Sequence, residues 1–158
     1  FLSVAEELEV DPYELLSLAR RESGLYPRAR SKVGARGLMQ LMPATARSVA
    51  KARKEVYGGT NTLYDPPTNI VLSATYYVNL LSRFEGNRVK ALAAYNAGPS
   101  RVVRWTQREM AVDQWVDSIP FGETREYVQA VLAYLVIYRA RAGQPVSLLT
   151  ASERETLY

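Results

Sequence analysis

The chain contains neither cysteine nor histidine. The first absence removes thiol nucleophiles and disulfides. The second removes Ser–His and Cys–His pairs, and together they remove the usual zinc ligand sets. Any proton transfer performed here therefore falls to carboxylates, tyrosine, lysine or water. Long apolar runs are missing too. The longest, "AVLAYLVIY", falls well short of the roughly eighteen residues that span a bilayer and reads as buried helix. Strand-type alternation of apolar and polar residues is also missing.

What is present is ordinary globular composition. Of 158 residues, 47% are apolar and 23% charged, enough to bury a core and close to the average for a folded domain. The net charge of +4 favours an anionic partner, for which nucleic acid, an anionic cell wall and a membrane surface all qualify. The basic residues read as scattered along the chain and as solvated faces, so no nucleic-acid partner is expected. The chain begins at Phe1 rather than Met and opens inside a helical pattern. It is therefore expected to be a fragment or processed product from which any targeting segment has been removed.

Helix signals dominate. "DPYELLSLARRES" has Asp11 as N-cap, Pro12 at the first helical position and Gly24 as its stop. "DPPTNIVLSATYYVNLLSRFEGN" begins the same way at Asp65 and Pro66 and closes at Gly86. Its Ile70, Ala74, Tyr77, Val78, Leu81 and Phe84 recur at helical spacing. "PATARSVAKA" is a further helix. Another runs from about Asn87 and breaks at Gly98–Pro99 before a short helix carrying Val102, Val103 and Trp105. "GETREYVQAVLAYLVIYRAR" is the longest, with Val128, Val131, Leu132, Leu135 and Tyr138 as its inward stripe. The expected class is mainly α, one compact domain over residues 1–158, with about six to eight helices and little or no sheet.

Glu22 stands out on the first of these helices. Leu15, Leu18 and Ala19 precede it by seven, four and three residues, so all four share one apolar face. A carboxyl group ending such a face is partly desolvated, and the helix C-terminus adds partial negative charge. Both favour the protonated acid. The alternative is a helix end turned outward beside Arg20 and Arg21. The following loop holds Gly34 and Gly37, which permit tight turns, and the hydrogen-bonding Ser31 and Gln40, with Met39, Leu41 and Met42 as apolar surface. Each has a plainer reading: Ser31 as a turn residue, Gln40 as a cap, the methionines as core. Tyr95 and Asn96 precede the Gly98–Pro99 break, with core residue and helix C-cap as their plainer readings. Glu123 and Tyr127 lie one turn apart at the start of the last long helix, where Glu123 also complements the helix dipole.

"ESGLYPRARSKVGARGLMQLMP", "AYNAGPSRV" and "IPFGETREYVQAVLAYLVIY" resemble, in that order, the signature blocks of the soluble lytic murein transglycosylases. The likeness covers nearly the whole chain. It implies a lysozyme-like catalytic domain related to goose-type lysozyme. The implied reaction cleaves the β-1,4 bond between N-acetylmuramic acid and N-acetylglucosamine in peptidoglycan and leaves a 1,6-anhydromuramoyl end. By resemblance Glu22 matches the single catalytic acid and base. Ser31, Gln40, Met42, Tyr95 and Glu123 match positions that hold the sugar, with Asn96 and Tyr127 beside them.

The same resemblance implies no cofactor and no metal, peptidoglycan glycan strands as partner, a monomer, and a cell-envelope location, periplasmic if the host has an outer membrane. It also implies a missing N-terminal helical domain, since larger members carry this module at the end of a helical superhelix. Two departures, Ser73 where relatives often have glycine and Leu25–Tyr26 in place of an aromatic–Asn pair, are expected to alter at most helix packing and the shape of the cleft wall, not activity. The rival functions are a hydrolytic muramidase, which needs a second acid such as Glu123 to activate water, and a non-catalytic peptidoglycan-binding module.

Overall fold

The computed structural model of the chain describes residues 1–107 and 109–158. These residues form two compact units, Phe1–Val78 and Asn79–Tyr158. The chain passes from one to the other within a single helix. Among them are nine α-helices, no strand, and two isolated β-bridges.

The first unit holds α1 (Leu2–Glu7), α2 (Pro12–Ser23), α3 (Pro43–Ala52), a 3-10 turn (Thr60–Tyr64) and most of α4 (Pro66–Arg83). Local signals set these elements as the sequence anticipates. Asp11 accepts the Tyr13 N–H at 2.8 Å to cap α2, and Gly24 closes it in the left-handed conformation at φ 62°. Such an N-cap contributes about 1 kcal/mol. Asp65 repeats the device on α4 by accepting from both the N–H and the hydroxyl of Thr68. Leu41, Ala46, Val49, Ala50, Leu63 and Leu72 pack into one cluster, against which the rings of Tyr57 and Tyr76 rest.

One expectation fails in this unit. Glu14, which as a charged residue is expected on a polar helix face, is buried and accepts the Tyr77 hydroxyl at 3.0 Å. A partner 63 residues away overrides the local pattern, because a buried carboxyl group is tolerated once it is hydrogen-bonded.

The second unit holds α5 (Arg88–Ala97), α6 (Pro99–Trp105), α7 (Val112–Ser118), α8 (Gly122–Arg141) and α9 (Ala151–Glu155). α5 packs on α6 and α8, and α7 packs on α8. Val128, Val131, Leu132 and Leu135 are buried as the stripe on α8 requires. The short α7 and α9 are additions to the helices read from the sequence.

α9 is held by a buried ion pair: Arg88 Nη2 lies 2.6 Å from Glu153 Oε2, and Arg88 Nε donates to Oε1 at 2.8 Å. Burial opposes ionisation of Glu153, but the bonds from Arg88 and the Thr150 N–H outweigh it and hold the carboxyl below its usual range. The chain end is bound in as well. Met110 and Tyr158 exchange both backbone hydrogen bonds, and Asn87 donates to the Tyr158 hydroxyl at 2.7 Å. Burial pushes that hydroxyl up to about 12.

Candidate active site

Glu22 occupies the last turn of α2. Leu15, Leu18 and Ala19 on the same face are fully buried, Glu22 is partly buried, and Arg20 is exposed. The carboxylate thus continues the buried face, unlike the outward-turned end that was the alternative.

The next residue ties the helix to the loop. Ser23 Oγ donates to the Leu38 carbonyl at 2.7 Å and accepts the Tyr26 N–H at 3.1 Å. The loop itself is closed by backbone pairs. Arg36 bridges to Arg30 and to Leu41, exchanging both hydrogen bonds with Leu41 at 3.1 Å, and the Gly37 N–H donates to the Ala29 carbonyl at 3.0 Å.

Within this frame the candidate residues have defined tasks. Ser31 closes a turn, its Oγ accepting the Ala35 N–H at 3.0 Å; its own proton is free to rotate toward a ligand. Gln40 sits at φ 48°, a left-handed conformation that costs a non-glycine residue about 1 kcal/mol or more. Its Nε2 donates to the carbonyls of Ala29 at 3.1 Å and Gly37 at 2.9 Å. Both amide hydrogens are used inside the loop, so Oε1 is the atom Gln40 offers to a ligand.

The methionines divide. Met39 is fully buried, as the core reading expects, but Met42 is 40% exposed. Met42 is the extended N-cap residue before Pro43 (φ −71°, ψ 136°). A residue preceding proline is confined to that region, which carries the side chain away from the core that Met39 and Leu41 join.

The residue that fixes this loop is absent from the sequence reading. Asn69 on α4 is fully buried. Its Oδ1 accepts the Met39 N–H at 2.8 Å, and its Nδ2 donates to the carbonyls of Arg36 at 2.9 Å and Leu63 at 3.0 Å. Gly37 lies so close that a β-carbon there would sit 2.1 Å from the Leu63 carbonyl oxygen and 2.4 Å from Asn69 Nδ2, at a φ of +79°. The available signal was a polar residue beside Ile70 on an apolar helix. Ser73, one turn further, is also fully buried, and its Oγ has no hydrogen-bond partner among the described residues.

In the second unit the other two motifs meet. Asn96 Oδ1 accepts the Thr124 hydroxyl at 2.7 Å, and Nδ2 lies 3.4 Å from Glu123 Oε1. The C-cap role falls to Gly98, whose N–H returns to the Ala94 carbonyl. Asn96 instead joins the end of α5 to the start of α8. Glu123 is exposed in the first turn of α8. Tyr95 is partly buried, and Tyr127 is buried with the α8 stripe.

A cavity of about 400 Å³ in the first unit contains none of the candidate residues; it is lined by Arg53, Glu55, Tyr57 and Leu72 among others. The Arg53 guanidinium is already engaged by Glu7, Glu55 and Thr75. No helix among the described residues is long and apolar enough to cross a membrane.

Residues 1–118 match the family model for the transglycosylase SLT domain, and residues 118–146 match that for the soluble lytic transglycosylase helical domain. The chain is 43% identical over 147 residues to the soluble lytic murein transglycosylase of Salmonella typhimurium, a match covering 90% of this chain and 23% of that protein. It superposes with a TM-score of 0.93 and 41% identity on lytic transglycosylase Slt from Pseudomonas aeruginosa, solved as an inactive glutamate-to-glutamine mutant. That match covers 99% of this chain and 26% of the other. The complex of a 70-kDa soluble lytic transglycosylase with bulgecin A gives a TM-score of 0.95 at 38% identity, covering 99% and 26% respectively. The chain therefore spans about a quarter of the length of these relatives.

Proposed function

The chain belongs to the transglycosylase SLT domain family, and from that premise we propose that residues 1–158 form the catalytic module of a peptidoglycan lytic transglycosylase. The observation that carries the reading is Glu22 itself. It is a partly buried carboxylate ending a fully buried helix face, beside a loop anchored to the same helix end through Ser23. With no histidine or cysteine in the chain, a carboxyl group is the natural proton donor. A relative of 41% identity is inactive with one glutamate changed to glutamine, which agrees with a reaction centred on a single carboxylate.

Glu22 in its protonated form gives its proton to the glycosidic oxygen between N-acetylmuramic acid and N-acetylglucosamine, and that bond breaks. The N-acetyl carbonyl oxygen of the muramic acid supports the positive charge developing at the anomeric carbon, a substrate-assisted departure from the two-carboxylate rule. Glu22, now ionised, takes the proton of the muramic acid C6 hydroxyl. The C6 oxygen then attacks the anomeric carbon and closes the 1,6-anhydro ring. No water enters, and Glu22 ends as it began. A tethered hydroxyl outcompetes water because its effective concentration can exceed that of the bulk solvent by orders of magnitude.

Ser31, through its hydroxyl, and Gln40, through Oε1, are assigned to the N-acetyl group and the ring, with Met42 offering exposed apolar surface. Tyr95, Asn96 and Glu123 are assigned to further sugar contacts, Tyr127 backing them from the core. Glu123 acts as a contact and not as a second catalyst. Its exposed carboxylate lies within 3.4 Å of the Asn96 amide, as a positioning partner would. The location that follows from the substrate is the cell envelope. A monomer is sufficient for this chemistry, and the length of the relatives agrees with a longer chain carrying a helical domain.

The test is mass spectrometry of muropeptides released from purified peptidoglycan by this chain and by Glu22→Gln. Anhydro ends, one water lighter than hydrolysed ends, should appear with the first protein and vanish with the second. Reducing ends would make the enzyme a muramidase and return Glu123 to the role of base. Binding without any product would leave a non-catalytic module.

A further inference from the structure

The positive charge of this protein is concentrated in one segment. Between Ala19 and Leu41 stand Arg20, Arg21, Arg28, Arg30, Lys32 and Arg36 against the single acid Glu22. That segment carries +5, and the rest of the chain, fourteen cations against fifteen acids, carries −1. The reading of basic residues as scattered is therefore corrected: the excess is confined to the last turn of α2 and the loop that follows it as far as Gln40.

We infer that this loop is a docking surface for the carboxylate-bearing peptide side chains of the wall polymer, outside the contacts to the reacting sugar. The inference rests on the function proposed above, because that function supplies the polymer.

Three observations carry it. First, Arg20, Arg28, Arg30 and Lys32 are all exposed, and none pairs with a carboxylate among the described residues. Cations used for stability would be expected to show partners, as Arg53 and Arg88 do. Second, Tyr26 and Val33, interleaved with these cations, are 59% and 78% exposed. They offer an aromatic face and an aliphatic surface to a polymer built of sugars and short peptides. Third, the loop is closed by its own hydrogen bonds. Tyr26 N–H goes to Ser23 Oγ, Ala29 N–H to the Tyr26 carbonyl, Ser31 N–H to the Ala35 carbonyl and Gly37 N–H to the Ala29 carbonyl. The cations therefore stand on a preformed frame, and little backbone ordering remains to oppose binding. A cluster of one sign beside a site raises the local concentration of the opposite charge and the rate of encounter by about ten- to a thousandfold, an effect that salt screens.

The experiment measures binding of Glu22→Gln protein, which does not consume its target, to insoluble peptidoglycan in low and high salt. Two further variants are built on it. One replaces Arg20, Arg28, Arg30 and Lys32 by glutamine. The other replaces Lys51, Lys54, Arg83 and Arg104, which are equally exposed and lie elsewhere, so that both variants have the same net charge. The melting transition of each checks that it is folded.

The loop variant should bind about tenfold more weakly at low salt, with the difference closing by about 0.5 M salt. The other variant should bind as the parent does. Peptidoglycan whose carboxylates have been converted to amides should bind parent and loop variant alike. Equal losses in the two variants would reduce the effect to net charge and overturn the inference, as would unchanged binding of the loop variant. Tighter binding to vesicles of anionic phospholipid than to peptidoglycan, lost in the loop variant, would assign the surface to a membrane instead. Because binding is read without turnover, charge-dependent binding by a chain that releases no product would sink the proposed reaction and leave the docking surface standing.

Discussion

Replacing Asn69 by alanine removes one acceptor and two donors from the interior of the first unit. The Met39 N–H and the carbonyls of Arg36 and Leu63 lose partners at 2.8, 2.9 and 3.0 Å. The Arg36 carbonyl keeps its bond from the Leu41 N–H, and the loss of this partner at each of the other two buried groups costs about 1–3 kcal/mol. The sum is about 2–6 kcal/mol, a large share of the 5–15 kcal/mol typical of a folded domain. Asn69→Asp separates geometry from charge. It keeps an acceptor for Met39 but turns the second oxygen, now negative, toward two carbonyl oxygens.

The sign follows directly. Burial and two facing carbonyls raise the pKa of the introduced carboxyl above its unfolded value, so the penalty is full at neutral pH. It is relieved as the pH falls through the raised value, where the protonated group can again donate. Urea titrations between pH 4 and 8 should therefore show Asn69→Asp less stable than Asn69→Ala at pH 8 and converging on it or passing it toward pH 4. Hydrogen exchange at the Met39 amide should accelerate in both. Identical pH dependence of the two variants, or unaltered exchange at Met39, would refute the claim that this side chain holds the loop.

Two further outcomes follow from buried polar groups. Ser73→Ala removes a fully buried hydroxyl that has no partner among the described residues and should raise stability by about 0.5–1.5 kcal/mol. A loss of stability in urea titration would mean the hydroxyl is paired in solution. Glu153 has a folded pKa below its unfolded value, so its contribution is complete above the unfolded value and is lost as the pH falls through the folded one. Glu153→Gln should cost about 3 kcal/mol at pH 7 by leaving Arg88 without its charge partner, and should flatten the acid limb of the stability profile below pH 5. A slope equal to that of the parent chain would show that the pair carries none of it.

Much of this protein was legible in its sequence because the signals are local. Asp11–Pro12 and Asp65–Pro66 start helices, and Gly24 ends one, through contacts spanning a few residues, so a linear reading suffices. The spacing of Leu15, Leu18, Ala19 and Glu22 places the carboxylate on the buried face for the same reason. The three motif blocks pointed to the family directly.

Tertiary structure decided what depends on partners far along the chain. Glu14 reads from its charge as a residue of a polar helix face, and Tyr77 holds it inside. Asn69 reads as an ordinary polar residue until α4 is laid against the loop it pins. Asn96 looks like a helix cap until Thr124 and Glu123 are brought beside it. The charge excess between Arg20 and Arg36 was countable in the sequence. That four of those cations are exposed and pair with no carboxylate among the described residues was settled only by folding, because a cation's partners are set by which elements pack together and not by its neighbours in the chain.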